Sequence, residues 1–272
     1  MTTVHTLASG SSGNALVLSW EGGNILVDAG ISCRRVRQGL LSLGLDLPDL
    51  DGIFITHTHS DHISGLQTLL KRTDCPVYAS AAAGRDLLRR MVLLEDRLRE
   101  AEGPLFVRDC AVTPFPTSHD APGSLGYRFD TPDGGFGLLT DSGFVTPEAE
   151  AVLPGVALAV LEANHDVEAV RSGPYPYFLK ERILGPAGHL KNEDAAAFAV
   201  ALARAGAREI VLAHLSLENN TPAMALRAVE TALSAAGLSP RLSAAPRDRL
   251  SGACVLEGGT VCSGSPFSAS GS

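Results

Sequence analysis

ITHTHSDH, residues 55–62, concentrates three histidines and an aspartate directly after apolar residues that are typical of a β-strand. His57 and His59 lie two residues apart, so an extended chain points both side chains to one side. Asp61 and His62 fall at the start of the helix predicted next and point elsewhere. The spacing therefore indicates two pairs of ligands for two neighbouring metal ions; a polar loop with coincidental histidines is the alternative.

More residues with metal-binding side chains stand where strand-like runs end: Asp28, His119, Asp141 and His214. Because the ends of neighbouring strands meet at one edge of a sheet, we expect these side chains to converge with ITHTHSDH. Any one of them could be structural, as we expect for the isolated His5. All the candidate ligands offer nitrogen or oxygen, so zinc is the default metal and manganese is the alternative.

The chain has 272 residues, of which 45% are hydrophobic and 19% charged, an ordinary globular composition. We expect a single domain over residues 1–262, built from two similar halves that meet near 120–125, and a flexible tail at 263–272. The formal net charge of −8 disfavours a protein that binds nucleic acid through its whole surface. Any polyanion must therefore bind at a local basic patch.

The five cysteines form no CxxC pair, which disfavours a disulfide framework and a thiolate zinc site and fits a reducing compartment. The N-terminus lacks the basic start and apolar run of a signal peptide. No stretch approaches 18 uninterrupted apolar residues. We therefore expect a cytoplasmic protein that does not span a membrane.

Strand-like runs followed by helical stretches occur twice along the chain. This order is typical of an α/β (α+β) protein in which packed sheets carry helices outside. The most strongly amphipathic helix is predicted at 82–99, with Leu94 and Leu98 facing inward. Further helices are predicted at 33–43, 62–72, 192–206 and 222–236.

ITHTHSDH followed by His119, Asp141 and His214, in this order and spacing, resembles the metallo-β-lactamase superfamily over nearly the whole chain. The resemblance implies a four-layer αββα sandwich with a dinuclear metal site at the edge of the sheets. The ligand sets that it implies are His57, His59 and His119 for one ion and Asp61, His62 and His214 for the other, with Asp141 bridging. Asp28 would orient a ligand from behind.

Two such ions can share a hydroxide that serves as the nucleophile, with Asp61 orienting it or accepting its proton. Glu162 follows a buried strand and His189 precedes a helix, an order that resembles ribonuclease Z and related phosphodiesterases. That resemblance implies that Glu162 polarises His189 and that His189 protonates the leaving oxygen, typically worth about 10²–10⁴-fold. A helix cap for His189 and a structural ion pair for Glu162 are the alternatives.

Longer stretches resemble the YycJ/WalJ branch of the superfamily, among them LASGSSGNA at 7–15, LEANHD at 161–166 and LAHLSLENN at 212–220. This branch is associated with 5′-to-3′ exonuclease action on DNA. Residues 162–189 leave too little chain for the extra domain of some RNA-processing relatives. We therefore expect an open cleft that takes DNA ends, single-stranded ones above all.

A local basic patch supports a nucleic-acid substrate, because residues 171–191 hold four basic residues against the acidic Glu181. The candidate substrate contacts are Arg171, Lys180, Arg182 and Lys191, together with Ser12, Asn14 and Asn219. A surface loop with packed aromatics is the alternative for 171–191. A tight turn is the alternative for the segment that contains Ser12 and Asn14.

Three functions stay open. A dinuclear-metal-dependent phosphodiesterase or nuclease, a 5′-to-3′ exonuclease on DNA, explains the most residues. A hydrolase of small esters, thioesters or lactones leaves the basic patch and His189 without a role. A signalling or scaffold protein leaves the complete ligand set without one. The oligomeric state and the roles of His165 and Asp166 are not decided by the sequence.

Overall fold

The computed structural model describes residues 1–256, except the side chain of residue 92. A first sheet contains β1 (Thr2–Ala8), β2 (Ala15–Trp20), β3 (Gly23–Val27), β4 (Gly52–Phe54), β5 (Val77–Ala79), β6 (Leu98–Glu100) and, beside β1, β14 (Cys254–Leu256). A second sheet contains β7 (Leu105–Val107), β8 (Cys110–Pro116), β9 (Leu125–Thr131), β10 (Gly134–Leu139), β11 (Leu158–Glu162), β12 (Glu209–Ala213) and β13 (Arg241–Ala244). The tail predicted at 263–272 lies outside the described residues.

Helices flank both sheets. They are α1 (Cys33–Ser42), α2 (Ser60–Ile63), α3 (Leu66–Leu69), α4 (Ala81–Arg90), α5 (Pro147–Val152), α6 (Val167–Ser172), α7 (Tyr177–Leu184), α8 (Asn192–Arg204) and α9 (Pro222–Ala235). Short 3₁₀ helices lie at Leu47–Asp49 and Val92–Leu94. Among residues 1–256, no helix combines the length and the apolar character needed to cross a membrane.

Three buried clusters show how the layers pack. One includes residues of the first sheet and of α1, α3 and α4, with Leu26 and Leu66 among them. The next lies between the two sheets, where Phe54 stacks on Tyr78 and packs edge to face with Phe129. The last joins the second sheet to α5, α8 and α9. Both sheets therefore bury both faces, and the expected four-layer αββα sandwich is confirmed.

Both sheets change from antiparallel to parallel pairing partway across. In the first sheet β1 to β3 pair antiparallel, and β3 to β6 pair parallel. In the second sheet β7 to β10 pair antiparallel, and β10 to β13 pair parallel. The carboxyl ends of the parallel strands lie at one edge, and this edge carries the candidate site.

The helix predicted at 82–99 is wrong in its second half. α4 ends at Arg90, and the chain then turns through a 3₁₀ helix into β6, which pairs parallel with β5. Leu94 and Leu98 do pack against the core, but from a turn and an edge strand. The apolar spacing fits both arrangements over so short a stretch, and strand pairing decides between them.

Two other predicted boundaries differ from the structure. The chain passes from the first sheet to the second between β6 and β7, ahead of the midpoint predicted at 120–125. The helix predicted at 62–72 is interrupted between α2 and α3, where Gly65 lies so close to Ile31 that a Cβ would stand 1.9 Å from its backbone oxygen. The single domain over 1–262 stays a prediction.

Candidate metal centre

Residues just after the parallel strands carry the predicted ligands. Asp28 follows β3, Asp141 follows β10, and His214 follows β12. All three have a positive φ, of 59°, 56° and 53° respectively. This region costs a residue other than glycine roughly 1–3 kcal/mol, and such strain clusters at functional sites because the surrounding structure must hold it.

His57, His59 and His119 form the first group of candidate ligands. One ring nitrogen of each lies within 4.8 Å of the others. Nδ1 of His119 is 2.9 Å from the backbone oxygen of Gly188, to which it donates. In a neutral ring this bond leaves Nε2 without a proton, as a metal ligand requires, and that atom lies 3.2 Å from Nδ1 of His59.

Asp61, His62 and His214 form the second group, again within 4.8 Å of one another. Oδ2 of Asp61 lies 3.5 Å from Nε2 of each histidine. Asp141 stands between the two groups: its Oδ2 is 3.3 Å from Nε2 of His62, and its Oδ1 is 3.8 Å from Nε2 of His119. The structure therefore brings together every candidate metal ligand, in the two predicted sets.

These side chains fit divalent metal ions. Nε2 of His57 and Nε2 of His214 are buried and form no hydrogen bond with any residue of 1–256. A buried polar atom without a partner is costly and is expected where a ligand binds. Asp28, Asp141 and Glu162 are at most 3% exposed, and buried carboxylates need compensating positive charge. Fold and donor set together indicate a divalent-metal site.

Neighbouring charges perturb the titrating groups of the site. Burial, followed by the charge of His62, lowers the pKa of His57 far below its ordinary value. Burial also lowers the pKa of His62, but Asp28 and Asp141 outweigh it and raise that pKa well above its usual range. For His214 burial is likewise outweighed by Asp141 and other carboxylates, which raise the pKa to about 10. Protons and metal ions therefore compete for these last two rings.

Asp28 and Thr56 hold the ring of His62 from behind. Oδ2 of Asp28 is 2.7 Å from Nδ1 of His62. The same carboxylate accepts hydrogen bonds from the backbone N–H and the hydroxyl of Thr56, both at 2.9 Å. Asp28 thereby fixes which nitrogen of His62 faces the centre, which is the contact that its predicted role requires.

Close backbone packing holds Asp61. Its backbone oxygen accepts from the N–H of Asn14 at 2.7 Å, and a Cβ on Gly30 would stand 1.6 Å from that oxygen. Only glycine permits this approach. Asn14, predicted to contact substrate, is 9% exposed, and its amide nitrogen lies 3.0 Å from Nε2 of His62 and 3.3 Å from Oδ2 of Asp61. Its side chain therefore faces the ligands.

Glu162 and His189 are brought together as predicted. Oε1 of Glu162 lies 2.9 Å from Nδ1 of His189 and 3.1 Å from Nδ1 of His214. Oε2 accepts from the backbone N–H groups of Ser142, at 2.9 Å, and Leu190, at 3.2 Å. Burial raises the pKa of Glu162, but His189 and His214 outweigh it and bring the pKa to about 2. The charged carboxylate therefore orients His189 and also ties two loops together.

The sequence of this chain matches a known family. The family model described as the beta-lactamase superfamily domain matches residues 23–215. The exodeoxyribonuclease YycJ of Bacillus anthracis is 37% identical over 234 residues, which cover 85% of this chain and 89% of that protein. The chain belongs to the metallo-β-lactamase superfamily.

Two more comparisons agree with this membership. The exodeoxyribonuclease WalJ of Streptococcus pneumoniae is 38% identical over 224 residues, covering 80% of this chain and 83% of that protein. The crystal structure of the metallo-β-lactamase fold protein YhfI of Bacillus subtilis superposes with a TM-score of 0.70. It covers 93% of this chain and 100% of that chain at 16% identity, which shows the shared fold.

The candidate metal centre of this member of the metallo-β-lactamase superfamily opens into a cleft of about 220 Å³. Leu179, Arg182 and Ile183 of α7 line it, as do Ser11 and Ser216. Of the predicted substrate contacts, Arg182 therefore reaches the cleft.

Arg182 also has a partner within the protein. Its Nε donates to Oδ2 of Asp120 at 2.5 Å, and Oδ1 of Asp120 lies 3.4 Å from Nε2 of His59. Asp120 thus connects the arginine to a candidate ligand. Sequence reasoning missed this carboxylate, although its position directly after His119 was a signal that could have found it.

The other basic residues of the predicted patch lie outside the cleft lining. Arg171 is exposed and pairs with Glu168 at 3.0 Å, and Lys180 donates to the backbone oxygen of Arg171 at 2.7 Å. Lys191 pairs with Asp194 at 3.3 Å. Since such exposed pairs are weak, a phosphate could displace them. Their substrate contacts stay predictions.

Four further polar residues that the sequence singled out differ in exposure and contacts. Ser12 is exposed, next to the cleft-lining Ser11, and keeps its predicted role as a candidate. Asn219 is fully buried and donates its backbone N–H to Ser216, so the structure does not place it at the cleft surface. His165 is buried, and Asp166 caps α6 by accepting from Ala169.

Two residues that position His214 were missed by sequence reasoning. Nδ2 of Asn164 donates to the backbone oxygen of His214 at 2.8 Å, and Oγ of Ser9 accepts from its backbone N–H at 2.8 Å. Asn164 follows β11, so the strand-end rule that found Asp141 could have found it. Ser9 also follows a strand, β1, but its contact with His214 joins the first sheet to the second and could be seen only in the structure.

Proposed function

We propose that this chain is a dinuclear-metal-dependent phosphodiesterase that removes nucleotides from DNA, beginning at the 5′ end. The hydrogen bond between Glu162 and His189, beside Asp141, carries the proposal, because a sugar oxygen is a poor leaving group that needs a proton. The curated relatives YycJ and WalJ are named exodeoxyribonucleases, which supports DNA as the substrate.

Two divalent ions, zinc or manganese, would be held by the two ligand groups described above, with Asp141 shared between them. When bound, they would activate water for attack and neutralise charge on the scissile phosphate. The donors are imidazole nitrogens and carboxylate oxygens, and both metals accept this mixture.

The side chains that act on protons face the cleft. Asp61 lines it, so its carboxylate can accept a hydrogen bond from the attacking water and orient it. His189 also lines it and presents Nε2, because Nδ1 is held by Glu162. As the bond from phosphorus to the leaving oxygen breaks, the proton on Nε2 passes to that oxygen. The carboxylate of Glu162 holds the ring in the orientation that this transfer requires.

The surroundings of the cleft suit a single-stranded end. Tyr175 lines the cleft and can stack on an unpaired base. Tyr177 and Phe178 are 77% and 73% exposed at the start of α7. Arg182 places a guanidinium group at the cleft, where it pairs with Asp120, and Lys180 lies on the same helix.

The test uses protein stripped of metal and reloaded with Zn²⁺ or Mn²⁺, incubated with single- and double-stranded DNA labelled at the 5′ or the 3′ end. We expect mononucleotides, with the 5′ label released first. Release of the 3′ label first would overturn the polarity, and intact DNA under all conditions would overturn the proposal.

Matched histidine variants sharpen this test. His59→Ala should abolish digestion and reduce metal content, because His59 is a candidate ligand. His5→Gln is the control, since His5 lies in β1 outside the ligand groups. The same reloaded proteins should leave thioesters and lactones untouched. Faster turnover of those compounds than of DNA would favour the small-ester hydrolase instead.

A further inference from the structure

A groove of about 1060 Å³ lies beside the metal cleft, between edge strands of the two sheets. Its walls come from β1 and β14 on one side and β12 and β13 on the other, with Val4 and Leu242 among the lining residues. Ser216 lines both the groove and the metal cleft. A chain-like ligand that leaves the cleft past Ser216 therefore enters the groove.

The groove carries positive charge. Arg247 and Arg249 line it. Arg247 is half-buried and donates to the backbone oxygen of Leu215 at 2.8 Å, which fixes its position. Arg249 is exposed, and its side chain forms no hydrogen bond or ion pair with the residues described. The acidic lining residue Glu209 is already paired with Arg241 at 3.3 Å.

The rest of the lining is largely apolar. Leu215, Leu226 and Pro246 contribute to it, and Leu217, next to Ser216, is 68% exposed. Apolar walls beside arginines suit a single nucleic-acid strand, because its unpaired bases can pack against apolar side chains and its phosphates can pair with arginines. A duplex would turn its bases inward and leave the apolar wall uncovered.

We propose that this groove binds the part of a single-stranded DNA substrate that extends beyond the scissile bond, with Arg247 and Arg249 on its phosphates. The proposal rests on the proposed function. It names residues outside the 171–191 patch and on different structural elements. Charge complementarity and continuity with the metal cleft select this occupant.

The experiment measures binding under conditions of slow turnover, using metal-loaded protein with His189→Ala and a fluorescein-labelled strand of 20 nucleotides, read before digestion is detectable. Adding Arg249→Glu should raise the Kd about tenfold at low salt, by fluorescence anisotropy. The slope of log Kd against log salt should fall by about 0.7 for each phosphate that the variant no longer neutralises. A trinucleotide, which ends within the cleft, should show less than a twofold change.

Arg204→Glu is the matched control, because Arg204 is exposed on α8, lies outside the groove and gives the same change in net charge. Leu217→Ser is a second groove variant that removes an exposed side chain, and it should weaken binding of the long strand as well. Circular dichroism verifies that each variant is folded.

The two proposals fail separately. If the wild-type metal-loaded protein digests no DNA, the proposed function is lost. If it digests DNA while both groove variants bind the long strand as tightly as Arg204→Glu does, the groove has a different occupant and this inference alone is overturned.

Discussion

Nδ1 of His189 lies 2.9 Å from Oε1 of Glu162, and the same oxygen lies 3.1 Å from Nδ1 of His214. One carboxylate oxygen is thus shared by a candidate proton donor and a candidate metal ligand. Groups that share a partner do not act independently. Substitution of Glu162 should therefore affect both catalysis and metal binding, whereas substitution of His189 should affect catalysis alone.

His189→Ala should lower kcat on a DNA end by about 10²–10⁴-fold, because the proton donor for the leaving oxygen is removed. Metal content should stay near that of the wild type, since both candidate ligand groups are complete without His189. Steady-state kinetics and elemental analysis of the same preparation check this. Loss of metal together with activity would make His189 a ligand instead.

Glu162→Gln should lower both kcat and metal affinity, because the neutral amide no longer offers a charged acceptor to orient His189 and His214. Chelator competition gives the affinity, and kcat is measured at saturating metal. With His189→Ala in the background, Glu162→Gln should reduce kcat little further. Full additivity of the two losses would contradict a shared mechanism.

Asp28→Asn should weaken metal binding about 10–100-fold, because Nδ1 of His62 loses a charged acceptor at 2.7 Å. Activity should recover at high metal concentration, since Asp28 does not line the cleft. Asp133→Asn is the control: Asp133 accepts from Thr2, at the hairpin between β9 and β10. Equal metal affinities for the two variants would remove Asp28 from its assigned role.

Gly30→Ala should destabilise the fold by about 1–3 kcal/mol or more, because its Cβ would stand 1.6 Å from the backbone oxygen of Asp61. The displaced Asp61 should also cost metal affinity. Gly103→Ala is the control, since a Cβ there meets nothing within 4 Å. Urea unfolding measures the stability of both variants. A Gly30→Ala protein as stable as the wild type would mean that Gly30 and the backbone oxygen of Asp61 are farther apart than described.

His165 should make stability depend on pH. Burial lowers its pKa to about 4, although the charge of Glu162 opposes this. In the unfolded chain His165 has the ordinary pKa near 6.5, so as the pH falls it is protonated there before it is protonated in the folded protein. The contribution of neutral His165 to the free energy of unfolding is therefore complete above pH 6.5 and is lost progressively between pH 6.5 and pH 4.

The measurement for His165 is the free energy of unfolding in urea at pH 7 and pH 5. Between these values the wild type should lose about 2 kcal/mol more than His165→Gln, whose side chain does not titrate. The comparison of slopes is independent of any uniform destabilisation by the substitution. Parallel pH dependences would show that His165 is protonated equally in both states.

The four layers and the division of the ligands into two groups were predicted from the resemblance to the superfamily, and the motifs that carry this resemblance are local in the sequence. A ligand such as Asp141 stands just after an apolar strand, and strand ends of a parallel sheet meet. α6 and α7 had no comparable signal: α7 buries no residue fully, so its apolar pattern is weak. β6 falls inside a predicted helix because its partner, β5, lies elsewhere in the sequence.

Contacts between distant residues explain most of what the sequence did not reveal about the site. The buried position of Asn14 depends on Asp61 and His62, which are far along the chain. The pairing of Arg182 with Asp120 likewise joins α7 to the loop that carries the candidate ligand His119. Residue type suggested substrate contact in both cases, and the partner could be seen only in three dimensions.

At Asp28, Asp141 and His214 the left-handed backbone and the role of the side chain favour different residues. Glycine is the residue that relieves such a backbone, and it is also the residue with no side chain to hold an ion. In a lineage that no longer used the metal centre, a substitution by glycine at each position would relieve the backbone strain. Glycine at these sites in a related sequence would therefore mark a protein that keeps the sandwich and has abandoned the chemistry.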